Sequence, residues 1–187
     1  MRLPALFVVA CCAACTDPVN ATNDFAPPRP SSVAIAPELK GCKLAVGEIK
    51  DARADPATIG FIGARPVRGP GNPQAWIGNV LSSLKAYGLD VEYPASDVLP
   101  SELVAKATLV TAWVSSVATA KTGSVVVNVR FSRGDAIVKE ANYRGAESSV
   151  DWWGSDAEIQ GMIDDALTQI VEAISRDLAT LCASTSS

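Results

Sequence analysis

Ser124-Val-Val-Val-Asn-Val-Arg-Phe131 decides the fold. Val125, Val127, Val129 and Phe131 fall on one side of a period of two, and Asn128 and Arg130 on the other. That is the pattern of a strand with one face buried and one in water. Ser132-Arg-Gly-Asp135 follows as a turn into a second strand, Ala136 to Arg144. Lys121-Thr-Gly123 turns the chain in front of it, and Ala107 to Val117, rich in Thr, Val, Leu and Trp, supplies a third. Three strands joined by short turns make an antiparallel meander.

Beyond the meander, Ser155-Asp-Ala-Glu158 is a capping box, in which serine and glutamate satisfy each other's free backbone donors. Ile159, Met162, Ile163, Ala166, Leu167, Ile170, Ile174, Leu178 and Leu181 then form an apolar stripe at helical spacing. Before the meander, Lys43 to Ile49 reads as a short strand, and Lys50 to Gly71 as a long loop of Gly, Pro, Asp and Arg. Asn72-Pro73 is an N-cap with proline at the first helical position; Trp76, Ile77, Val80, Leu81 and Leu84 recur at helical spacing, and Gly88 stops the helix. Leu89 to Tyr93 is a further short strand. The expectation is one α+β domain over residues 42–183, in the order βαβββα, with a mostly antiparallel sheet and two helices on one face. Residues 184–187 read as a disordered tail.

The N-terminus carries an address. Met1-Arg2 precedes the apolar run Leu3 to Ala14, the pattern of a secretory signal peptide over residues 1–14 and too short to span a bilayer. Its end in small residues and cysteine looks like a bacterial lipobox, whose cysteine is acylated. Cys12-Ala-Ala-Cys15 leaves a twelve-residue apolar core and favours Cys15 as the anchor. Val8-Val-Ala-Cys11 fits the pattern position by position but leaves only eight residues, so Cys11 stays as the alternative. A plain cleaved signal without lipid is the third reading. Residues 15–41, rich in Pro, Ser, Asn and Asp, read as the lipidated N-terminus followed by a flexible tether.

Composition narrows the chemistry. The net charge is −4, and −5 once Arg2 is removed, with no basic clustering of the kind nucleic acid calls for. Histidine is absent, which removes the usual general base and the usual metal ligand. No cofactor motif and no metal motif is present, so neither is expected. Outside the cytoplasm, Cys42 and Cys182, at the two ends of the domain, read as a disulfide, with two buried free thiols as the alternative.

The element order, a strand ending near Asp51-Ala-Arg53, an Ile59-Gly60 step, a Tyr143-x-Gly145 strand end and the Trp153-x-Ser155 helix start resemble the YajG-type bacterial lipoproteins. The resemblance covers about residues 40–182. It implies an outer-membrane lipoprotein facing the periplasm, and it brings no activity and no catalytic residues. Thr16 in place of an aspartate after Cys15 agrees, within that resemblance, with outer-membrane delivery.

Few residues then suggest a site. Gly69-Pro-Gly-Asn72 before a helix lacks the Lys-Ser/Thr of a phosphate loop and reads as a cap. Asp164 and Asp165 are helical neighbours, so their side chains diverge. Asp51 and Arg53 read either as a ligand site at a strand end or as a brace tying the loop to its scaffold. Trp152 and Trp153 cannot both face one core, so one of them suits protein or glycan contact; the alternative is a staple plus a cover over the sheet edge. The first functional expectation is a non-catalytic periplasmic binding or adaptor module, held to the membrane by its N-terminal lipid. Its partner would be an envelope protein or cell-wall polymer. The second is a small-ligand receptor or an uncharacterised enzyme using the 51–71 loop.

Overall fold

The computed structural model describes residues 17–21, 39–96, 99, 102–150 and 155–183. In chain order the elements are β1 (Val19–Asn20), β2 (Lys43–Asp51), β3 (Thr58–Ile62), β4 (Arg65–Arg68), α1 (Pro73–Ser82), β5 (Asp90–Glu92), β6 (Leu103–Val117), β7 (Ala120–Arg133), β8 (Ala136–Val150) and α2 (Asp156–Ala183). Among the described residues the protein is α+β, with a mixed, largely antiparallel sheet of eight strands and two α-helices.

β6 organises the sheet. One edge pairs antiparallel with β7 along its whole length, and β7 pairs with β8 in the same sense. The other edge is shared: β2 runs parallel beside Leu103 to Leu109, and β3 runs parallel beside Val114 and Ser115. Where the partner changes, β6 bulges between Leu109 and Thr111, while Ala52 N–H still reaches the Leu109 carbonyl at 2.9 Å as β2 leaves. A bulge inserts one residue and reverses the alternation beyond it. Leu103, Ala105, Ala107 and Leu109 face inward before it; Ala112 and Val114 face inward after it.

The caps read from the sequence are in place. Asn72 Oδ1 accepts from Ala75 N at 3.0 Å to open α1, and a 3-10 turn over Ser83–Tyr87 ends at Gly88 with φ 97°. Ser155 N donates to Glu158 Oε2 at 2.8 Å and Glu158 N to Ser155 Oγ at 3.3 Å to open α2. One core contains Trp76 and Ile77 of α1, Ile163, Leu167 and Ile170 of α2, and Val125, Val127, Val129 and Phe131 of β7. Gly145 of β8 lies so close under α2 that a Cβ there would run into the Ala166 carbonyl. Arg133 Nη2 to the Leu181 carbonyl (2.8 Å) and Tyr143 Oη to Asp177 Oδ2 (2.6 Å) fasten the same helix to β7 and β8. Cys42 and Cys182 are joined by a disulfide, Cα to Cα 5.9 Å, across a sequence separation of 140.

Three expectations need correction. The order βαβββα is too short, because the 50–71 stretch is not a bare loop: it contains β3 and β4, which add an antiparallel pair to the sheet. Ile59 is fully buried in β3, and Gly60, with φ 126°, sits where a Cβ would strike the Val114 backbone. The tether is also shorter at its start than expected. Val19 is fully buried and pairs with Val67, so residues 17–21 lie on the sheet rather than in a free arm. The meander strands are also longer than expected: Lys121-Thr-Gly123 lies inside β7 and the turn falls on Ala118 and Thr119, while the last strand extends past Arg144 to Val150.

Candidate functional site

The residues facing away from the core on β6, β7 and β8 form ordered cross-strand rows. Lys106, Arg130 and Glu140 share one row, and Thr108, Asn128 and Asn142 the next. Within them Arg130 Nε donates to Glu140 Oε2 at 2.9 Å, and Asn128 Nδ2 to Asn142 Oδ1 at 3.0 Å. The Arg130 guanidinium holds the Glu140 carboxyl below its ordinary range. This is a polar lattice on the uncovered side of the sheet.

The bulge gives that face its apolar part. Val110, the inserted residue, is 41% exposed and Trp113 is 47% exposed. They wall an open depression of about 260 Å³ whose other side is formed by Arg53, Ala54, Asp55 and Thr58. A second depression of about 190 Å³ lies along the polar rows at Lys50, Lys106, Thr108 and Arg130. Both are shallow surfaces rather than enclosed cavities, which suits contact with an extended partner better than burial of a small molecule.

The Asp51–Arg53 pair resolves as a brace. Arg53 Nε and Nη2 bind the two Asp51 oxygens at 2.9 and 2.8 Å, and Nη2 also donates to the Pro56 carbonyl at 3.2 Å. The Arg53 side chain is 4% exposed and that of Asp51 13%. The guanidinium hydrogen bonds lower the Asp51 carboxyl against the opposing effect of burial. Among the described residues Arg53 Nη1 has no hydrogen-bond partner; it lies inward, 3.0 Å from where a Gly69 Cβ would stand. Asp55 is likewise occupied by the Ala57 and Thr58 amides and the Thr58 hydroxyl of its own turn. The two charged side chains are spent inside the loop.

Trp152, Trp153, Cys15 and Cys11 lie outside the described residues. Trp113 is an exposed aromatic that the sequence reading missed. Continuing the alternation Leu103, Ala105, Ala107, Leu109 points Trp113 into the core, and only the bulge turns it out. The available signal was the slip between Leu109 and Ala112 in the apolar pattern. Among the described residues no three His, Cys, Asp or Glu side chains converge as metal ligands, and no helix is long and apolar enough to cross a membrane.

No family model and no curated protein matches the chain. Solved structures do. Protein XCC0632 from Xanthomonas campestris, of the family DUF330, is similar with a TM-score of 0.60 at 12% identity, over 90% of this chain and 99% of that one. The hypothetical protein CT253 from Chlamydia trachomatis gives a TM-score of 0.47 at 11% identity, covering 76% of this chain and 96% of that one. A minor lipoprotein from Acinetobacter baumannii gives 0.45 at 12%, covering 74% and 92%. At these identities the first shows a shared fold, and the other two are looser likenesses.

Proposed function

We propose that the chain is a non-catalytic lipoprotein of the bacterial envelope, related to the YajG type. It acts as a binding or adaptor module at the periplasmic face of the outer membrane, anchored through lipid on Cys15. The observation that carries the binding role is the uncovered sheet face, where Trp113 and Val110 stand exposed beside ordered polar rows. An aromatic plate among planar amides and paired charges fits an envelope protein or a cell-wall polymer, both of which offer apolar faces edged by hydrogen-bonding groups. Trp152 and Trp153 belong to the same proposal as contact residues. The occupied state of Asp51 and Arg53 supports a contact module over a small-ligand receptor built on the 51–71 loop.

Crosslinking in intact envelopes tests this. Trp113→Ala, Trp152→Ala and Trp153→Ala are compared with wild type at matched folded fraction. Interface anchors of this class cost about 2 kcal/mol or more when truncated, roughly a thirtyfold loss of affinity. Loss of a specific adduct in Trp113→Ala with an unchanged melting curve supports the reading. Unchanged adducts in all three variants reject the contact assignment.

A further inference from the structure

We infer that one end of the sheet, formed by the β3–β4 turn, the β6–β7 turn and the end of β8, rests in the lipid interface beside the anchor. The inference builds on the anchoring at Cys15 proposed above.

Strand registers fix which end this is. β3 runs parallel to β6 with Phe61 opposite Ser115, so Ile62 and the turn after it lie level with the β6–β7 turn. Gly63 N confirms the level by donating to Ser116 Oγ at 3.0 Å. β4 returns from that turn with Arg65 opposite Ile62, and β1 runs parallel to β4 with Val19 opposite Val67. Two residues earlier, the Asp17 carbonyl accepts from Arg65 Nε at 3.0 Å. The chain therefore enters the sheet from this end, and Cys15 lies two residues beyond Asp17. Two extended residues span at most about 7 Å. Even anchoring at Cys11 would allow only about 20 Å. β6 alone is about 50 Å long, so the opposite end of the sheet cannot be the one held at the bilayer.

The surface at this end suits lipid. Val117 is 78% exposed, Val150 79% and Phe61 46%, with exposed Ala118 in the turn after Val117 and exposed Ala120 at the start of β7. Val117, Ala120 and Val150 are cross-strand neighbours, so they form one rim. Arg65 adds a cation at the same end, where lipid phosphates would lie. Exposure alone does not choose this end, because Ile137 (58%) and Val138 (39%) are exposed near the far turn. The exit point of the chain does. Lipid chains supply the main binding free energy, about 0.8 kcal/mol per buried methylene; the rim adds apolar contact and fixes orientation. The domain would stand upright on the membrane with the far turn directed into the periplasm.

The test uses the full lipidated chain in vesicles of phosphatidylethanolamine and phosphatidylglycerol. An environment-sensitive fluorophore is placed on Val117→Cys or, at the far turn, on Asp135→Cys; both positions are exposed. The expected result is a blue-shifted probe at 117 that loses most of its emission to brominated acyl chains, while the probe at 135 keeps its emission in water. Vesicle flotation and the intact mass of the N-terminal peptide are recorded on the same samples. If the protein floats and both probes report water, the rim assignment is overturned and the anchor stands. If the far probe is the one quenched, the orientation is overturned. A chain that neither floats nor carries acyl mass on Cys15 rejects the anchor, and the inference falls with it.

Discussion

Arg65 donates its Nε to the carbonyl oxygen of Asp17, 48 residues earlier, at 3.0 Å. This bond closes the entry of β1 onto β4 at the sheet end where the N-terminal segment arrives. It joins the part of the sequence that carries the address to the part that carries the fold. Val19, fully buried against the core two residues later, makes the attachment more than a surface touch.

We predict that Arg53 contributes to stability rather than to partner contact. With its side chain 4% exposed, truncation removes both guanidinium bonds and leaves the Asp51 carboxylate charged and 13% exposed, with the residue-53 amide at 3.2 Å as its remaining hydrogen bond, which costs about 3 kcal/mol. Arg53→Ala should lower the unfolding free energy from denaturant titration by that amount and leave envelope crosslinks intact once matched for folded fraction. A selective loss of a crosslink at unchanged stability would return the pair to the contact surface.

Two glycines should respond in opposite directions. Gly145→Ala drives a Cβ into the Ala166 carbonyl of α2 and should cost about 3 kcal/mol. Gly161, on the same helix, has nothing within 4 Å of its virtual Cβ, so Gly161→Ala should gain about 0.5–1 kcal/mol from helix propensity. Thermal unfolding of the two variants beside wild type checks both signs.

Removing the disulfide should be felt across the whole domain. Cys42 and Cys182 close a loop with sequence separation 140, for which the chain-entropy model gives about 4–5 kcal/mol. Cys42→Ala with Cys182→Ala should unfold at correspondingly lower denaturant, and reductant should shift wild type but not the double variant.

Burial pushes the Asp164 carboxyl up to about 6 from 3.8; the Gln160 side-chain bond opposes this and neighbouring Asp165 adds to it. The folded chain thus holds this proton more tightly than the unfolded chain. Between pH 3.8 and about 6 the folded state binds more protons, so this group's contribution to stability falls as pH rises through that window. Asp164→Asn should therefore raise the melting temperature near neutral pH, by about 1–2 kcal/mol in stability terms, and make little difference below pH 3.8.

Much of the fold was legible because its signals are local. The alternation of Val125 to Phe131, the Ser155–Glu158 box and the Asn72–Pro73 start each depend on residues within one turn or one strand, and each stands as read. What stayed hidden depends on distant partners. β3 and β4 are short, carry Gly60 and Pro66 and flank a turn at Gly63, so their own sequence favours a loop; the edge of β6 beyond Leu109 is what makes them strands. β1 is two residues whose only strand signal is Val19, and β4 supplies the rest. Trp113 escaped because a bulge reverses the facing of every residue beyond it, and its trace in the sequence is a single slip between Leu109 and Ala112.

Lipid on Cys15 is the premise shared by the proposed function and the proposed membrane orientation. Cells grown with a fatty-acid analogue should label the wild-type chain and the Cys11→Ser variant, and the label should vanish in Cys15→Ser. A wild-type chain that is secreted, folded and unlabelled would contradict lipid anchoring, and with it the proposed function and orientation.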